Sequence, residues 1–146
     1  MKPPVEKAEK PTFVFDSGAL IQLERGNDTV LDAVARVSAG EAIGVVPRTV
    51  LAEIWRGGPR QARLAAMLKL ADGQREADLL IDELTAPRAR EIGKTIAACG
   101  HDDIVDVNVA LCAREANGQI KALVFTTDRD DLLRVESALK TVIVDV

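Results

Sequence analysis

Apolar and polar positions alternate between two rhythms along this chain: short unbroken apolar runs, and longer stretches with apolar residues three and four apart. Runs of the first kind are Thr12–Phe15, Ala42–Val46, Ala77–Leu84 around Leu79-Leu80-Ile81, Ala122–Thr126 and Thr141–Val144. Each predicts a buried strand. Helical spacing follows the first run through Ala19, Leu20, Ile21 and Leu23, where Ser17 is placed to cap the helix. It returns over Thr29–Ser38, and then through Val50, Leu51, Ile54 and Trp55 with Pro47 at the first helical position. Arg60–Leu70, Pro87–Cys99, Ile104–Asn117 and the more polar Asp128–Leu139 complete the set. Breaks fall at Arg25-Gly26-Asn27-Asp28, Ala39-Gly40, Gly57-Gly58-Pro59, Gly100 and Gly118. Strands alternating with helices at short intervals predict an α/β fold whose parallel sheet is covered on both faces. No repeat or linker divides the chain, so residues 11–146 read as one domain behind a Lys-, Glu- and Pro-rich leader, Met1–Lys10, expected to be disordered.

Composition narrows the chemistry. Aromatic residues are three Phe and one Trp with no Tyr, which leaves Val, Leu, Ile and Ala to build the core. A net charge of −4 provides no global basic field, so a nucleic-acid partner would have to be met by a local cluster or through bound cations. Cys99 and Cys112 lie in apolar helical segments and read as small buried hydrophobes of a reducing compartment. One histidine, His101, and no CxxC leave a tetrahedral zinc site short of ligands. With no signal peptide and no membrane-length apolar run, the expected location is cytoplasmic.

The acids carry the candidate chemistry. Asp16 ends the first strand, Glu53 lies in the helix after the second, Asp103 and Asp106 open a long apolar helix, and Asp128 follows the fourth strand. A parallel sheet brings the carboxyl ends of its strands to one edge, where ligands of open α/β sheets bind. Carboxylates converging there repel one another unless cations lie between them, and oxygen ligands suit Mg²⁺ or Mn²⁺. Such a site activates water and clamps a phosphate for in-line displacement. Each acid also has a plainer explanation. Asp16 can cap its helix, Glu53 can be solvated, Asp103 can be an N-cap with Asp106 at the third position, and Asp128 can close a turn. Their joint placement at compatible strand and helix ends favours a site.

The segments FDSGALI, PRTVLAEIWRGG, HDDIVDVNVALCA and VFTTDRDDL resemble, in their order and spacing, the motifs of PIN-domain ribonucleases. The resemblance runs from about Phe13 to the C-terminus and is strongest to the VapC-type toxins of bacterial type II toxin–antitoxin pairs. It implies a three-layer α/β/α fold, Mg²⁺ or Mn²⁺ dependence, and endonucleolytic RNA cleavage leaving 5′-phosphate and 3′-hydroxyl ends. The family's strand-end aspartate falls on Asp16, its helical glutamate on Glu53, its D-x-x-[IV]-A acid on Asp106 and its Thr-x-Asp motif on Thr126 and Asp128. These four acids are thereby implied as catalytic metal ligands, with Asp103 a further candidate and Ser17 and Thr126 as hydrogen-bonding support. Asn108 receives no role, and the parts of Asp130 and Asp131 stay open. A homodimer and a cognate antitoxin protein that blocks the acidic edge are also implied.

Arg48, Arg56, Arg60 and Arg63 flank the Glu53 helix and divide evenly between solvated surface and contacts to RNA phosphates or a partner's acids. Trp55 reads as core or an interface anchor, and the mixed apolar and basic segment Trp55–Arg63 as part of the antitoxin interface. His101 reads as a loop residue near the metal edge rather than a ligand. The rival from another class is a non-catalytic PIN-like binding module whose acids hold a structural cation or a basic partner. A phosphoacceptor domain lacks its acid pair and lysine here, and a Rossmann nucleotide binder lacks its G-x-G-x-x-G.

Overall fold

A computed structural model describes residues 10–72, 79–116 and 122–146. Five strands form one parallel sheet in the order β3-β2-β1-β4-β5. They are β1 (Thr12–Phe15), β2 (Ile43–Pro47), β3 (Leu79–Asp82), β4 (Ala122–Thr126) and β5 (Ile143–Asp145). Val14 pairs with Val45 on one side and Val124 on the other. A strand flanked on both sides and covered on both faces has no polar side, so Phe13, Val14 and Phe15 are all buried. The chain builds outward from β1 to β3, then returns to place β4 against β1. That reversal makes the β1–β4 boundary the switch point, where a crevice opens beyond the strand ends.

Seven α-helices complete the three-layer α/β/α arrangement among the described residues: α1 (Ser17–Glu24), α2 (Asp28–Ser38), α3 (Arg48–Ile54), α4 (Ala62–Asp72), α5 (Ala86–Cys99), α6 (Ile104–Ala116) and α7 (Arg129–Val135). One core cluster joins the sheet to Leu20, Leu23, Val30, Leu64 and Met67, and a smaller one of Ile92, Val107 and Leu111 joins α5 to α6. The scarce aromatics are concentrated rather than absent from the core. Phe125 stacks 5.3 Å from Phe15 and meets Phe13 edge-on at 5.1 Å, beneath the switch point.

Several boundaries differ from the sequence expectations for local reasons. Asp16, not Ser17, caps α1. Pro47 stays in β2, paired with Asp82, and α3 begins one residue later. Gly58 adopts φ 85°, a left-handed conformation suited to glycine, so Pro59–Gln61 forms a 3₁₀ turn before α4. The stretch Asp128–Leu139 is not one helix. Glu136 is extended and its carboxylate accepts a bond from the Ala138 amide, which starts a separate 3₁₀ turn over Ser137–Thr141 and delays β5 to Ile143. Nearly all of the expected leader, Ala77-Asp78 of the third run, and the Asn117-Gly118 stop lie outside the described residues.

Candidate active site

Asp16 continues the β1 ladder by one bond, its amide donating to the Phe125 carbonyl at 3.1 Å. The chain then turns into α1, and Oδ1 accepts a bond from the Ala19 amide at 3.1 Å, so the plain capping role is real. The second oxygen is held from across the sheet, where Thr126 Oγ1 at the end of β4 donates to Oδ2. Thr126 Oγ1 in turn accepts a bond from the Asp128 amide at 2.8 Å. Side-chain bonds thus connect the end of β1 to the turn that opens α7. Gly18 makes this approach possible, because a Cβ there would lie 1.9 Å from Thr127 Oγ1.

Asp16 is only 4% exposed, and burial raises its pKa to about 6 against the lowering effect of the Thr126 and Ala19 bonds. The charges of Asp128 and Asp106 raise it further, which places all three carboxylates within one another's field. Asp128 is exposed at the start of α7. Asp106 is half-buried in the first turn of α6, and its amide donates to Asp103 Oδ1 at 3.0 Å. Asp103 therefore caps α6, as the spacing suggests.

His101 contributes more than loop. Its Nε2 lies 2.9 Å from Asp106 Oδ2, and this hydrogen bond raises the His101 pKa. Asp106 is itself raised, chiefly by burial. His101, Asp106 and Asp131 each offer one ligand atom within 4.8 Å of the others. Asp131, from α7, whose part the sequence left open, thus joins the acidic edge. Glu53 is the outlier: it is exposed on α3, and its side chain makes no hydrogen bond or ion pair to any described residue.

The chemistry of this donor set fits a hard divalent cation. Desolvated and mutually repelling carboxylates are costly alone. The Ser17 hydroxyl is buried beside Asp16 without a hydrogen-bond partner among the described residues. A hydrated cation would relieve both deficits, because its charge answers the carboxylates and its waters can bond the hydroxyl.

Trp55 is 41% exposed, which removes it from the core. It follows α3, whose last turn is finished by Gln61: Oε1 accepts from the Arg56 and Gly57 amides, and Nε2 donates to the Ile54 carbonyl. Beside this turn Leu20, Ile21, Ile54, Arg60 and Leu64 line a groove of about 220 Å³. Arg48 pairs with Glu83 at 3.4 Å, while Arg63 donates to the last carbonyls of α1. Cys112 is buried, but it is no mere hydrophobe: its thiol donates to Asp82 at 2.9 Å.

An open parallel sheet with carboxylates gathered at its switch point belongs to the α/β domains that bind ligands beyond their strand ends, and such acids can hold a divalent cation for work on phosphoesters. Within it the family is specific: residues 13–137 match the PIN domain, and the chain belongs to that family. PIN domains are in general nucleases that use divalent metals. No curated protein matches the chain. No helix among the described residues is long and apolar enough to cross a membrane.

Proposed function

We propose that this protein is a Mg²⁺- or Mn²⁺-dependent endoribonuclease, the toxin of a type II toxin–antitoxin pair of the VapC kind. Asp16 carries the proposal: a strand-end carboxylate buried among further acids instead of opposite a cation, in a PIN domain. Asp16, Asp106, Asp128 and Glu53 would hold the ion, directly or through water, with Asp103 aiming α6 and His101 and Asp131 at the rim. A divalent ion held there supplies Lewis-acid stabilisation of developing charge and lowers the pKa of a water. The chain's own contribution is placement. Thr126 and the Ala19 amide fix both oxygens of Asp16, and the Thr126–Asp128 bond holds the opposite wall.

RNA is the proposed substrate, cut to 5′-phosphate and 3′-hydroxyl ends. Homodimerisation and a cognate antitoxin complete the proposal. An antitoxin arginine would answer the same carboxylates, and the groove beside exposed Trp55 and Ile21 suits an apolar, charged segment. The free position of Glu53 favours the rival, a non-catalytic module with fewer ligands. Incubating labelled RNA with the protein in Mn²⁺ or in EDTA separates the two. Metal-dependent cleavage lost in Asp16→Asn supports the nuclease. RNA left whole in Mn²⁺, or cut equally in EDTA, rejects it.

A further inference from the structure

A second polar cluster lies at the carboxyl end of β3. Arg88, on α5, is only 7% exposed, and its Nη1 donates to Asp82 Oδ2 at 3.3 Å, Asn108 Oδ1 at 3.1 Å and Cys112 Sγ at 3.0 Å. Asn108, on α6, is 1% exposed. With its oxygen committed to Arg88, its amide nitrogen points the other way and donates to Thr49 Oγ1 on α3 at 2.8 Å. A guanidinium has no acceptor, so it fixes which end of the Asn108 amide faces α3. The chain of bonds runs from α5 through α6 to α3.

Its termini matter for the site. Asn108 sits two residues beyond Asp106 on α6, and Thr49 sits four residues before Glu53 on α3. Residues four apart share a helix face, so Thr49 and Glu53 lie one above the other. Helix α3 has seven residues and no side-chain N-cap, far below the length at which a helix holds itself. Its placement depends on tertiary anchors: buried Val50, Leu51 and Ile54 packed against the core, the Gln61–Ile54 bond at its last turn, the exposed Arg48–Glu83 pair and, towards α6, the Asn108–Thr49 bond.

We infer that the Arg88–Asn108–Thr49 chain is a positioning device that sets α3 against α6 and so aims Glu53 at the acidic edge. It acts through Glu53 and touches no reacting atom. This inference rests on the proposal that Glu53 is a site acid.

Thr49→Val removes the hydroxyl while keeping the shape, and it leaves Arg88 and Asn108 untouched. Mn²⁺ affinity by calorimetry is expected to weaken about tenfold, the scale of supporting-residue losses at metal sites. For RNA cleavage, kcat should fall while KM holds, and Thr49→Ser should restore both. In a Glu53→Gln background Thr49→Val should cost no further Mn²⁺ affinity, because the residue it positions is already lost. Asn108→Leu, measured by the same calorimetry provided its unfolding remains cooperative, should repeat the pattern. Additive losses in the double variant, or unchanged Mn²⁺ affinity in Thr49→Val, would overturn the positioning role while leaving the nuclease intact. Glu53→Gln with native Mn²⁺ affinity and cleavage would remove Glu53 from the site, and the inference with it.

Discussion

Two aspartates mark strand ends of the same sheet, and their surroundings are opposite. Asp82 ends β3 and meets its own cation, Arg88, at 3.3 Å, with the Cys112 thiol as a second donor. That thiol is pushed up to about 12, first by burial and then by the Asp82 carboxylate, so it remains a donor at physiological pH. Asp16 follows β1, is more deeply buried, and meets one hydroxyl, one backbone amide and the fields of further acids. Where the chain supplies the compensating charge, an acid serves the fold. Where it adds more negative charge instead, the cost stands until something outside the chain answers it.

The contrast breaks most sharply at Asp16. Asp16→Asn keeps a capping oxygen and removes the charge, so cleavage should drop about a thousandfold, on the order of 4 kcal/mol of barrier. Melting in EDTA should move up rather than down. Retained cleavage would place Asp16 with Asp82, as a structural acid. Next in size is Arg88→Met, which leaves Asp82 and the Asn108 oxygen without their buried donor. Urea denaturation should show a loss of about 3 kcal/mol, and an unchanged midpoint would mean that water solvates Asp82 well enough without Arg88.

The third effect is a pH dependence in the absence of metal. Burial raises Asp16 from 3.8 to about 6, so the native state binds its proton more tightly than the unfolded chain does. Stability should therefore rise as pH falls from 6 towards 4, by at most about 3 kcal/mol, and the penalty should be fully present above 6. Asp106 is raised too, so Asp16→Asn should flatten part of this slope and leave the rest, while the raised His101 adds a slope of the same sign only above its ordinary 6.5. A wild-type profile in EDTA that rises with pH over this window would contradict the desolvation argument. The smallest effect separates neighbours in α6. Asp103→Asn keeps the cap and should change stability by under about 0.5 kcal/mol with most cleavage intact, whereas Asp106→Asn should lose nearly all of it. If the two results are exchanged, the third acid is Asp103.

Much of this fold is legible from spacing. Strands buried on both faces must read as unbroken apolar runs, and β1 and β4 do. Asp16 is visible because a charge directly after such a run has no reason to be there except chemistry or capping, and it caps as well. Asp82 follows an apolar run in the same way, but nothing beside it in the chain shows its role, because its partner is tertiary. Arg88 sits beside Arg90 and Glu91 at the start of the Pro87–Cys99 helix, and nothing in its spacing announces burial. Asn108 belongs to the same blind spot, since an amide inside a core makes sense only when the arginine on another helix is known. The break at Glu136 is hidden by residues that tolerate helix, and only the side-chain bond to Ala138 reveals it. His101 lies five residues before Asp106 in the same segment but meets it only because the loop folds back onto the first turn of α6, and Asp131 arrives from a different helix.

The clearance at Gly18 has a practical meaning. With 1.9 Å between a would-be Cβ and Thr127 Oγ1, even a methyl group must move the turn that holds Thr126 and Asp128. Gly18→Ala would keep the number and sign of every charge and disturb only their alignment at this turn. Such a protein would keep the net charge of the native one. Comparing the two separates how strongly the molecule holds an RNA from whether it can cut it, a distinction that no carboxylate substitution can draw.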